Sequence, residues 1–246
     1  MRRALLAAAA LLLATCARPP AQRPGMIYIP KGEFPMGSRD DDVRTYPWEK
    51  PKETPQHTVL LNAYYMDVHE VTNKEFESWR SHPRNVERSP CDECPVTDVD
   101  WTDAKEYCEA QKKRLPTEAE WEKAAKGGHD DPKMTTEEYD AFLEPRAWYA
   151  KNTITRAQPI MQKKPNDYGL YDMLGNVREW TGDWFDKDYY QKAVRDDPKG
   201  PESGERRVER GGAFFLTARG VTTTIRYNHP PTFRLYFLGF RCAADA

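Results

Sequence analysis

The sequence predicts an α+β domain in which regular secondary structure is sparse. Three observations lead there: two short β-rich segments near the start, three helical segments in the middle, and a second half where periodicity gives way to single aromatics among Gly, Asn, Asp and Pro. The first strand is expected at Met26-Ile-Tyr-Ile29, ended by Pro30, and the second from Thr58 to Met66, where β-branched and aromatic residues dominate. Residues 38–56 between them are charged and Pro-containing, which reads as a loop. Thr72 precedes Glu75 by three positions, as Thr117 precedes Glu120, each pair ahead of an apolar run. That spacing lets a hydroxyl and a carboxylate cap each other's backbone N–H groups at a helix start, and Gly127 marks the expected stop of the second such helix. From Asp103 to Lys113, the residues Ala104, Tyr107, Cys108 and Gln111 share one helical face, so Cys108 is expected in the core. Residues 128–246 read as long loops pinned by bridges or ions.

The chain has 246 residues, with 37 Lys and Arg against 39 Asp and Glu, a formal charge of −2. A nucleic-acid binder needs a basic footprint that this balance does not supply, so nucleic acid is not an expected partner. Arg2 and Arg3 precede an unbroken Ala/Leu run from Ala4 to Ala14, which has the build of an export signal and is too short to span a bilayer. The run ends in Leu-Ala-Thr-Cys16, which resembles the bacterial lipobox, with Thr15 where that motif prefers a smaller residue. Cys16 is therefore the expected lipidation site, the other reading being an ordinary cleaved signal with an incidental cysteine. The expected organisation is a signal at 1–15, a lipidated Cys and Pro-rich tether at 16–25, and one domain at 26–246. The expected location is the cell envelope, with the lipid holding the protein to the outer membrane.

Export places the other cysteines in an oxidising compartment, where thiols pair. With Cys16 lipidated, four remain, and the expected scheme joins Cys91 to Cys94 and Cys108 to Cys242. The rival reading of Cys91-x-x-Cys94, half a zinc site or a redox dithiol, lacks a second Cys pair, a spaced His pair or a thioredoxin-like context. His69-Glu70 opens like a zincin motif, but Asn73 stands where the second His is required.

Seven stretches together resemble the formylglycine-generating enzyme family, also called sulfatase-modifying factors. They are Met26 to Ser38 (MIYIPKGEFPMGS), Tyr64 to Phe76 (YYMDVHEVTNKEF), Pro95 to Cys108 (PVTDVDWTDAKEYC), Arg114 to Gly128 (RLPTEAEWEKAAKGG), Tyr168 to Trp184 (YGLYDMLGNVREWTGDW), Arg207 to Gly212 (RVERGG) and Leu238 to Ala243 (LGFRCA). The resemblance implies a C-type-lectin-like α+β fold, and it implies the same Cys108 to Cys242 bridge. It also implies a calcium site, with side chains from Asp172 and Glu179 and carbonyls from Gly175 and Val177, an oxygen set that suits a hard cation. Active members of the family bind copper through two cysteines that follow a serine, and a soft Cu(I) ion needs such thiolates. Here the serine position is Ala213 and the cysteine positions are Leu216 and Val221, so no copper and no copper-dependent cysteine oxidation is expected. Arg210, Arg219, Arg226, Tyr227 and Asn228 flank that position and form the candidate cleft. The expected role is a binding or assembly module for a protein or glycan of the cell envelope. The alternatives are an oxidoreductase acting in the same cleft and a retained formylglycine-generating oxidase.

Overall fold

A computed structural model describes residues 22–246 except Thr45 and Ile154, so Cys16 and the signal and most of the tether lie outside the described residues. In chain order, strands β1 (Met26–Ile29) and β2 (Gly32–Met36) lead to the short helix α1 (Lys50–Glu53) and strands β3 (His57–Leu61) and β4 (Tyr64–Asp67). Helices α2 (Asn73–Trp79), α3 (Trp101–Ala110), α4 (Glu118–Lys126) and α5 (Thr136–Leu143) follow. The chain continues through β5 (Arg178–Trp184), β6 (Arg207–Arg210), β7 (Tyr227–His229), β8 (Leu238–Gly239) and β9 (Ala243–Asp245). The fold is mixed helix and sheet with long irregular connections, as the sequence predicts.

Thr72 and Thr117 cap α2 and α4 in reciprocal capping boxes with Glu75 and Glu120, and Gly127 ends α4 in the left-handed conformation at φ 68°. Helix α3 starts earlier than the apolar spacing implies, because Asp100 caps it and Asp103 caps back. Helix α5 falls where only loop is expected, opened by a further capping box between Thr135 and Glu138.

The expected strand from 58 to 66 is in fact two strands in different sheets. Strand β3 pairs antiparallel with β2, whereas β4 lies between β1 and β9. The break falls at Asn62, whose backbone N–H donates to the Asp197 carboxylate at 2.8 Å, and that bond draws the chain out of a continuous ladder. In the half expected to be loop, β7, β6, β5 and β8 form a four-stranded sheet in that order, antiparallel except for β5 with β8.

Helix α4 packs across β2, β3, β5 and β6, with Trp121 fully buried against Ile29, Val59 and Tyr64. A second core gathers Phe76, Val99, Trp180 and Phe240 around a bridge between Cys108 and Cys242; the other bridge joins Cys91 to Cys94. Trp180 keeps its indole N–H satisfied there by donating to the Val99 carbonyl at 3.1 Å. Helix α4 also packs directly against β6, and the candidate site is built on those two elements.

Candidate functional site

Helical periodicity sets Glu118, Glu122 and Lys126 in one row on α4. All three are buried. Burying carboxylates is expensive unless each is paired and hydrogen-bonded, and two guanidiniums from the second half of the chain do this. Arg210 reaches Glu118 at 3.1 Å and Glu122 at 2.6 Å and also donates to the carbonyls of Thr223 and Thr224. Arg226 grips Glu118 through two bonds of 2.6 and 2.9 Å. Lys126 closes the row on Glu122 at 2.9 Å. Burial alone drives the Glu122 carboxyl upward, but Lys126 and Arg210 outweigh it and hold that carboxyl below its ordinary range.

This corrects the expected cleft. Arg210 and Arg226 are fully buried structural ties beneath it. Arg219, Tyr227 and Asn228 are partly exposed. Arg219 borders a shallow cavity of about 440 Å³ with Thr136, Glu137, Asp140, Thr217 and Ala218. Tyr227 sits under the Arg178 guanidinium at 3.5 Å and donates to the Gly220 carbonyl, while Asn228 accepts from Arg206 at 3.3 Å. Beside that cavity the Tyr46 hydroxyl lies 2.6 Å from the Thr217 hydroxyl, and the Tyr46 ring stacks on Trp48 at 4.7 Å. Trp48 is 67% exposed. Sequence reasoning missed this aromatic pair; its signal was two rings within a charged loop.

The positions expected to match the serine and copper cysteines of active relatives lie in apolar packing. Ala213 and Val221 are fully buried, and Val221 clusters with Tyr139, Leu143, Tyr149, Leu174 and Ala218, with Leu216 packed against the group. The Tyr139 hydroxyl donates to the Val221 carbonyl at 2.7 Å, which ties α5 to this segment. Gly212, at φ 80°, passes so close to the same segment that a Cβ there would meet the Gly220 carbonyl at 2.4 Å.

The calcium set fits poorly. Both Glu179 oxygens are engaged: Arg241 donates to each at 2.8 Å, and the Trp121 indole donates to Oε2 at 2.8 Å. Asp172 accepts from the Met161 N–H at 2.8 Å, and its other oxygen is buried without a partner. Gly175 has its own structural reason, since a Cβ there would lie 2.2 Å from the Trp148 carbonyl. Val177 donates its N–H to Glu70, a third buried acid in this group. Burial, with the charges of Asp172 and Glu179 added, pushes the Glu70 carboxyl well above its usual range, and burial likewise raises Asp172. The Arg241 guanidinium thus already compensates the Glu179 carboxylate that the expected set would use.

The description "Sulfatase-modifying factor enzyme 1-like domain" matches residues 14–246. The chain belongs to that family. It is 30% identical to the formylglycine-generating enzyme of Thermomonospora curvata, covering 90% of this chain and 93% of that one. It is 29% identical to a protein of Mus musculus called inactive C-alpha-formylglycine-generating enzyme 2, covering 92% and 87%. It is also 33% identical to the serine/threonine-protein kinase pkn1 of Chlamydia pneumoniae, where the match covers 89% of this chain and only 38% of the longer relative. Among solved structures, the variable protein 1 of Treponema denticola superposes with a TM-score of 0.74 at 29% identity, covering 90% and 95% of the two chains. PvdO from Pseudomonas aeruginosa superposes with a TM-score of 0.76 at 25% identity, covering 92% and 100%. This family member has the scaffold, an ionic row under β6 and a long-range bridge, and apolar side chains stand at 213, 216 and 221, where the resemblance puts the serine and the copper ligands.

Proposed function

We propose that this protein is an exported, lipid-anchored binding or assembly module of the cell envelope, not competent for copper-dependent cysteine oxidation. The observation that carries the second half of this reading is the packing of Leu216 and Val221 into an apolar cluster with α5, which offers a soft metal no thiolate. A mouse relative whose name marks it as inactive supports the idea that the scaffold persists without the chemistry. The exposed Trp48 ring, backed by Tyr46 and close to the cavity bordered by Glu137, Asp140 and Arg219, supports a protein or glycan partner. The charge balance argues against nucleic acid.

The decisive experiment incubates purified protein with copper and a peptide carrying the sulfatase Cys-x-Pro-x-Arg motif and follows the peptide thiol by mass. The thiol is expected to survive; its enzymatic loss would overturn this reading. For the anchor, Cys16→Ala is expected to move the protein from the membrane fraction to the soluble one, and unchanged fractionation would count against lipidation.

A further inference from the structure

We infer that the protein carries a second site, apart from the copper position, for a small organic carboxylate with an apolar body. A cavity of about 320 Å³ opens between the end of α4, helix α5 and residues 164–174. Met134, Tyr139, Phe142, Leu170, Met173 and Leu174 give it an apolar lining. The volume is roughly twice that of an apolar cavity able to hold benzene, so it suits a ligand on the order of a dozen non-hydrogen atoms.

The charged groups around it decide the ligand's chemistry. Arg44 is neutralised by Asp42 at 2.5 Å and Asp131 at 3.4 Å, Lys126 by Glu122, and His129 faces Asp167 at 3.0 Å. Arg146 and Lys164 have no carboxylate partner among the described residues. Both line the cavity, and the backbone segments that carry them are joined where the Lys164 N–H donates to the Pro145 carbonyl at 2.9 Å. Arg146 lies over the Phe142 ring at 4.2 Å and gives one bond to the Phe142 carbonyl, which leaves most of its donor fork free beside the apolar lining. Of the remaining acids, Asp130 is exposed on the loop after α4, and Asp172 is buried with one oxygen on the Met161 N–H and the other without a partner, a negative group that the ligand's carboxylate must keep away from. Two cationic side chains without a carboxylate partner on the lining of an apolar hollow match a carboxylate with a hydrocarbon tail.

The walls are set in advance. Tyr139 is tied to Val221 through its hydroxyl and lies under Arg44 at 5.2 Å, and the Thr223 hydroxyl donates to Asp131 at 2.6 Å. A site held this way loses little freedom when filled. Tyr139 and Leu174 also belong to the cluster around Val221, so the packing that fills the copper position forms part of this cavity's wall.

Calorimetric titration of the full chain with octanoate, octanol and octylammonium tests the inference. Octanoate is expected to saturate at one per chain and to bind at least about tenfold more tightly than octylammonium, the scale of one charge-assisted contact. Arg146→Gln with Lys164→Gln should erase that preference with the melting temperature unchanged, and Met134→Trp, which narrows the hollow, should weaken all three ligands. No saturable octanoate binding, equal or tighter octylammonium binding, or a preference that survives the double variant would overturn the inference. No copper is involved, so this outcome is independent of the peptide-oxidation result.

Discussion

The Cys108–Cys242 bridge closes a loop of 134 residues, and the Cys91–Cys94 bridge a loop of three. If a bridge stabilises by restricting the unfolded chain, its contribution grows with the logarithm of loop length, giving about 5 kcal/mol for the long loop and about 1.6 kcal/mol for the short one. For a domain of this size each kcal/mol moves the melting midpoint by roughly 2–4 °C. Cys108→Ala/Cys242→Ala is therefore expected to melt roughly 10–20 °C below the parent, and Cys91→Ala/Cys94→Ala only roughly 3–6 °C below it. The long bridge also sits in the second core, so losing two buried sulfurs adds to its effect in the same direction. Melting of the three proteins by circular dichroism, with the oxidised state of each checked by mass, measures the difference. Two double variants that melt within about 2 °C of each other would refute the loop-length reasoning, because the arithmetic separates them by about 3 kcal/mol.

Asp183 lies buried at the start of α4, where it accepts the Glu118 N–H at 2.7 Å, and burial with the charge of Glu118 raises its carboxyl from 3.8 to about 8. Its stabilising contribution is thus complete below pH 3.8 and is lost as pH rises through 8, so Asp183→Asn should flatten the stability slope across that window, and parallel curves for parent and variant would be contrary. Arg241→Met leaves Glu179 buried without its cation beside Glu70 and Asp172; denaturant titration should show a loss of about 3–5 kcal/mol, largely restored by adding Glu179→Gln, and a loss below about 1 kcal/mol would count against the pair. With Arg241 on both Glu179 oxygens, a calcium chelator is expected to leave the melting temperature unchanged, and a fall reversed by calcium would restore the metal set.

Local capping was legible in the sequence, because Thr72 with Glu75 and Thr117 with Glu120 act within one turn. The same signal at Thr135 and Glu138 was present and passed over within a loop-like composition. The four-stranded sheet was not legible, since strands of two to seven residues, one of them containing Gly182, are too short to declare a period. The carboxylate partners of Arg210 and Arg226 lie 88 to 108 positions away, and charged residues are seldom buried, so sequence reasoning put both in a cleft. The expectation for Ala213, Leu216 and Val221 rests on residue type and resemblance alone, whereas the apolar cluster that takes in Leu216 and Val221 needed α5, which the sequence had not disclosed.

Arg210 and Arg226 anchor on the same helix, and the segment 211–225 runs between those two moorings. Its ends are fixed by ionic ties that do not depend on which side chains lie in the middle. The segment is thus a span moored at both piers: its ends hold to one helix, while its middle is set by what packs against α5.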